Sequence, residues 1–153
     1  MTYEERDIAP AQVSQPIRSF VQAHYANQQA AYYLEEGPDG TFIEVEFNNR
    51  TNTTLRFTPA GHLVEKEDQV LFETLDASLQ RAIQTYISAN FTSAKIYSTE
   101  IATTYEGATP TELIELKLQA ANGKTGYHQL QFSKLGKLLE ATDIPLTAIE
   151  TLF

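Results

Sequence analysis

The residues of this chain that could do chemistry are three histidines and a file of alternating glutamates. Glu44 and Glu46, with Glu115 further on, have the spacing at which carboxylates leave a strand on the same side, and paired carboxylates can serve as general acid and base. Alternating glutamate is also how a solvated sheet face reads. Lys117 stands where Glu46 stands in an earlier, similar segment. That reversal of charge favours the solvated face over an acid–base pair. His24, His62 and His128 lack the i, i+4 spacing of a helical metal pair. His24 is expected near a helix end, where it can meet the last carbonyls. His62 is expected in solvent, and His128 partly buried. There is no cysteine, so disulfides, thiolate catalysis and cysteine–zinc sites are excluded. No glycine-rich phosphate loop and no G-x-S-x-G elbow occurs. The expectation is a protein that is not an enzyme, with no catalytic residues, no metal ligands and no cofactor.

The 153 residues suit one domain, or two small units sharing a core, and 42% of them are hydrophobic. The formal net charge of −9 argues against a nucleic-acid partner, which needs clustered Lys and Arg. It also disfavours adsorption to anionic membranes. No stretch approaches the roughly 20 apolar residues of a membrane span, so no membrane insertion is expected. The start, MTYEERD, is polar and has no apolar run after it, so no export signal is visible in this chain.

The elements that would position these residues come in two similar sets. LRFTPAGHLVEKED (Leu55 to Asp68) and LQFSKLGKLLEATD (Leu130 to Asp143) share Leu, Phe, Gly, Leu, Glu and Asp at the same offsets. Upstream of the first, Val13, Ile17, Phe20, Val21 and Tyr25 form one face of a helix, with Ser14 as N-cap and Pro16 in the first turn. Leu79, Ile83, Tyr86, Ile87 and Phe91 give the same stripe upstream of the second. After each helix the period becomes two. AAYYLEE (Ala30 to Glu36) pairs with AKIYSTE (Ala94 to Glu100), and FIEVEF (Phe42 to Phe47) with LIELKL (Leu113 to Leu118). Pro38-Asp39-Gly40 is a turn signal. Gly61 and Gly136 turn the chain into a last short strand, as a tight hairpin needing positive φ requires.

The sequence therefore predicts an α+β fold built from two tandem helix-plus-antiparallel-meander (αβ3–4) units. They would form one extended sheet with both helices on one face, because a single unit is near the size at which one core is marginal. The boundaries are a flexible N-terminal tail at 1–10, a first unit at 11–70, a second at 71–143, and a short C-terminal capping helix at 144–153.

The helix Ile-x-x-aromatic-aliphatic-x-x-x-aromatic, the Glu-Val-Glu-Phe strand and Leu-x-Phe-x-x-x-Gly-x-Leu together resemble the PepSY-like family. That family is described as β-lactamase-inhibitor-like and is found as tandem units in exported bacterial proteins. The resemblance covers Val13 to Glu67 and Leu79 to Asp143. It implies a cystatin/β-lactamase-inhibitor-like α+β fold, a periplasmic or extracellular location and a non-enzymatic binding or inhibitory role. Family members more often carry Asp directly after the strand Phe. Thr58 and Ser133 stand there in this chain, so no role for that carboxylate carries over.

If Tyr32 and Ile96 face the helices, Tyr33 and Tyr97 face away. The same parity sends Phe42, Glu44, Arg56, Leu113, Lys117, Tyr127 and Gln131 outward. Aromatics amid charges are the composition of a recognition surface. The alternatives are that an N-terminal tail or a second molecule covers this face. A one-residue register error would invert the list. Thr103 to Glu112 and Ala120 to Gln129 are candidate contact loops. The function expected is a non-catalytic exported binding module for a protein or peptide, using Tyr33, Phe42, Glu44, Arg56, Tyr97, Lys117, Tyr127 and Gln131, with inhibition as one form of it. Two alternatives stand beside it. One is a small-ligand or enzymatic α+β domain with a pocket between helix and sheet. The other is a structural accessory module of a cell-surface assembly.

Overall fold

A computed structural model describes residues 4–121 and 126–144 of the chain. Among these residues the fold is α+β, a nine-stranded antiparallel sheet in sequence order with two α-helices. The chain divides into two compact units, Met1–Asp68 with Thr103–Thr111, and Gln69–Ala102 with Glu112–Phe153.

In the first unit the strands are β1 (Glu4–Ile8), β2 (Ala30–Gly37), β3 (Gly40–Phe47), β4 (Thr54–Phe57) and β5 (Leu63–Val70), the last running across the division. Helix α1 (Gln15–His24) follows β1 after a short 3-10 turn. Ser14 takes the N-cap position with extended backbone, but its side chain makes no capping bond. Pro16 sits in the first turn, where no intrahelical N–H is lost. The apolar stripe does what its spacing requires. Val13, Ile17 and Val21 are buried against Tyr32, Ile43, Val45, Phe47, Leu55 and Phe57. The ring of Phe20 meets Phe57 edge-on at 5.4 Å, and Tyr25 stacks on Phe47 at 4.4 Å. His24 lies in the last turn of α1 and packs on Phe20, ring centroids 4.4 Å apart.

The second unit holds α2 (Ala77–Asn90), β6 (Lys95–Thr104), β7 (Thr111–Gln119), β8 (Tyr127–Ser133) and β9 (Leu138–Asp143), with the ends of β6 and β7 crossing the division. Leu79 and Ile83 are buried with Ile114, Leu116, Leu118, Leu130 and Phe132, and Tyr86, Ile87 and Phe91 pack against them. Tyr86 meets Phe132 edge-on at 5.7 Å, as Phe20 meets Phe57. Both phenylalanines are wholly inaccessible to solvent.

Gly61 and Gly136 have φ of +103° and +89°, the left-handed region where a Cβ is costly. A second reason for glycine is not legible in the sequence. A Cβ on Gly61 would lie 2.6 Å from Cβ of Pro16, and one on Gly136 would lie 2.5 Å from Cβ of Ala82. Each hairpin turn is thus pressed against the first half of its unit's helix. Thr58 and Ser133 close these turns. The Thr58 hydroxyl accepts from the His62 N–H at 3.1 Å, and Ser133 Oγ accepts from the N–H groups of Leu135 and Lys137 at 3.3 and 3.2 Å. An Asp carboxylate at these positions could accept the same bonds.

One expectation fails. Residues 4–8, assigned to a flexible tail, form β1, which pairs along β2 from Glu4↔Glu36 to Ile8↔Tyr32. The alternation there is dominated by charge, so hydropathy gives no strand signal. Backbone pairing and the half-buried Ile8, which packs against the first core, hold the strand instead. The capping helix expected at 144–153 falls, but for Ile144, outside the described residues.

The close approach at the two turns has a direct test. Gly61→Ala and Gly136→Ala should each cost about 2–4 kcal/mol, the sum of positive-φ strain and overpacking. Gly40→Ala, at φ +119° with nothing within 4 Å of the new carbon, should carry the strain alone and cost less. Urea midpoints for the three variants would decide it. Equal losses at all three positions would remove the packing role.

Candidate functional site

Strand alternation that buries Tyr32, Ile43, Val45, Leu55 and Phe57 on the helix side turns the neighbouring residues to the other face. In the first unit that face is read across the register. Asp7 pairs with Tyr33 and Glu5 with Glu35. Tyr33 pairs with Glu44 and Glu35 with Phe42. Glu44 then pairs with Arg56, and Arg56 with Glu65. The structure brings together Tyr33, Phe42, Glu44 and Arg56, as the parity argument required. Arg56 forms an ion pair with Glu35 and lies over the Phe42 ring, 4.1 Å from its centroid. The side chains of Arg56 and Glu35 retain only 27% and 13% of their accessible surface, so this pair is more than a solvated ornament.

The glutamates overturn the reading of a plainly solvated face. Glu44 is half-buried, and its carboxyl is pushed up to about 9 by burial first, then by hydrogen bonding with Glu35 and the charge of Glu5. Glu46 is raised as well, by burial and by Glu5, against a lowering hydrogen bond from Tyr33. The Tyr33 hydroxyl is raised chiefly by the charge of Glu46. Oxygens of Glu5, Glu35 and Glu44 all lie within 4.8 Å of one another, a spacing that one cation could bridge; within the protein, Arg56 meets part of this charge through Glu35. Sequence reasoning missed Glu5 and Glu35. Glu5 lay in the supposed tail, and no local signal points to it.

In the second unit, Tyr97 and Tyr127 stack with centroids 6.0 Å apart, the Tyr97 hydroxyl donates to Gln119 Oε1, and Lys95 Nζ lies 5.1 Å from the Tyr97 ring centre. Gln119 pairs with Tyr127, and Glu115 with Gln131, across β7 and β8. Gln131 donates to Glu115 at 3.3 Å. Glu115 is raised by burial and by the charge of Glu100, while Gln131 and Lys117 pull it down. Tyr97, Tyr127, Lys117 and Gln131 therefore share a face, with Gln119 and Glu115 as the members that sequence reasoning left out of the site. Leu113 lies on that face as well.

The histidines stay out of both clusters. His62 is exposed. His128 packs on Phe91 at 4.8 Å, and its Nδ1 lies 2.9 Å from Asp143 Oδ1. Among the described residues no helix is long and apolar enough to cross a membrane.

No family model matches the chain, and no curated protein matches it. Solved structures do. A DUF2874 family protein from Bacteroides ovatus superposes with a TM-score of 0.69 at 16% identity, over 86% of this chain and 87% of its own. A protein from Bacteroides eggerthii described as "putative periplasmic" gives 0.70 at 13% identity, over 90% and 94%. A BLIP-like protein from Bacteroides fragilis gives 0.64 at 14% identity, over 90% and 89%. At these identities the likeness is one of fold alone, a BLIP-like α+β fold.

Glu44 makes stability depend on pH in a stated direction. Its carboxyl is raised from 4.5 to about 9 on folding, so between those values the folded chain holds a proton that the unfolded chain has released. The stability that Glu44 contributes is then fully present below the ordinary carboxylate range and is lost as pH rises through about 9. Urea midpoints measured across that range should fall for the wild type and stay nearly level for Glu44→Gln. An equal fall in both proteins would take the effect away from Glu44.

Proposed function

We propose that this protein is a non-catalytic exported binding module that recognises a protein or peptide through the sheet face opposite the helices, with loops of the second unit adding contacts. The observation that carries the reading is the state of the aromatics on that face. Phe42 is held under Arg56, and Tyr97 is held by Tyr127, Gln119 and Lys95. Rigid aromatics ringed by charge bind at low entropic cost, because their rotamers are already restricted. The residues assigned to contact are Tyr33, Phe42, Glu44 and Arg56 in the first unit, and Tyr97, Lys117, Tyr127 and Gln131 in the second.

The BLIP-like description of the Bacteroides fragilis neighbour supports an inhibitory form of this role, and the periplasmic description of the Bacteroides eggerthii neighbour supports export. Both are arguments by likeness of fold, which does not fix function. The same likeness, with the paired segments of the sequence, supports a tandem of two PepSY-like helix-plus-meander units, 11–70 and 71–143. A second reading, a small-ligand or acid–base site, is favoured by one observation, the strongly raised Glu44. Against it, Glu44 lies on the outer sheet face, away from the helix stripe that a pocket between helix and sheet would need.

Affinity capture from envelope and secreted proteins of the source cell tests the proposal. The bait would be compared with a Tyr33→Ala, Tyr97→Ala, Tyr127→Ala variant of unchanged circular dichroism. One partner, held by the wild type and weakened roughly tenfold or more by the variant, as expected for loss of hot-spot aromatics, is the predicted result. Equal capture by both baits would move the site elsewhere. Capture of nothing, together with ligand-dependent stabilisation by small metabolites, would favour the second reading.

A further inference from the structure

We propose that β1 is a pH-released edge strand, paired with β2 at low pH and lifted from it at high pH by repulsion among the neighbouring carboxylates of Glu5, Glu35 and Glu44. The geometry carries this independently of any binding role. Among the described residues β1 ends the strand order and pairs with β2 alone. Glu4 to Asp7 are exposed, and only Ile8 packs against the core. The register sets Glu5 opposite Glu35 and Glu4 opposite Glu36, and like charges directly opposite destabilise a strand pair.

The groups on the outer face around the cluster are Glu5 and Asp7 from β1, Tyr33 and Glu35 from β2, and Glu44 and Glu46 from β3. Beyond them come Arg56 from β4 and Glu65 from β5. Arg56 is the cation among them, and it is engaged with Glu35. Arg6, opposite Leu34, is on the other face. Charging the trio therefore adds repulsion that Arg56, through Glu35, offsets only in part, and β1 is held from one side, by β2. The raised carboxyl of Glu44 agrees in part: burial is its first cause, and the Glu35 hydrogen bond and the charge of Glu5 add to it. Release would leave α1 and β2 to β5 with their core intact and would bare the backbone edge of β2, a row of groups able to pair with another strand.

The absence of cysteine makes a distance measurement straightforward. Nitroxides on Arg6→Cys and Gln22→Cys, both exposed positions of the first unit, report the separation of β1 from α1 by pulsed electron spin resonance. At about pH 5 one narrow distance is expected. At about pH 10 a broad, longer population should appear, with the paired-to-detached ratio lowered roughly tenfold or more. Glu5→Gln should keep the narrow distance at both values. Far-ultraviolet circular dichroism should keep its helical signal, because release is local. A narrow distance throughout in the wild type overturns the proposal. So does equal release in Glu5→Gln, a broad distribution at both pH values, or release only with global unfolding.

Discussion

In each unit an aromatic ring of the helix meets a strand phenylalanine edge-on, Phe20 on Phe57 and Tyr86 on Phe132. The contact sits beside a hairpin turn that touches the helix so closely that only a hydrogen fits at Gly61 and Gly136. Ring and turn together set the height of the helix above its strands. Burying a phenylalanine contributes roughly 1.5–3 kcal/mol from area alone, and the paired rings add to it. If the helix stood further off, the Ile17 and Ile83 side chains would lose the contacts that make them wholly inaccessible. The strand faces that these helices cover decide everything on the opposite side.

In the first unit that opposite side gathers several carboxylates. A strand must show alternate residues to each face, so a sequence that puts Ile43 and Val45 inward must put Glu44 and Glu46 outward. Adjacent strands add Glu5, Glu35 and Glu65 from the same parity. Arg56 offsets part of this by pairing with Glu35 while covering Phe42. Burial, with Glu35 and Glu5 beside it, pushes the Glu44 carboxyl up to about 9, and that ties stability to pH.

The outer face is ordered by its own contacts before any partner arrives. Arg56 is held between Glu35 and Phe42, and Tyr97 between Gln119, Tyr127 and Lys95. Side chains fixed this way lose little freedom on association, which is the physical ground for the proposal that this face is a recognition surface.

Periodicity alone determined most of the local structure. The stripes Ile17–Val21 and Leu79–Ile83, the alternation of Ile43, Val45 and Phe47, and the turns at Gly40, Gly61 and Gly136 were legible because the period of an apolar pattern and the need for positive φ are properties of short segments. The outward parity of Tyr33, Phe42, Arg56, Tyr97 and Tyr127 followed from the same rule. Strand β1 and the closeness of Glu5, Glu35 and Glu44 did not, since a charged edge strand has no hydropathy signal and its register is set by pairing with residues some thirty positions away. The protonation of Glu44 belonged wholly to the tertiary structure. Whether a carboxylate is solvated or half-buried among others depends on which strands lie beside it, and no local pattern records its neighbours.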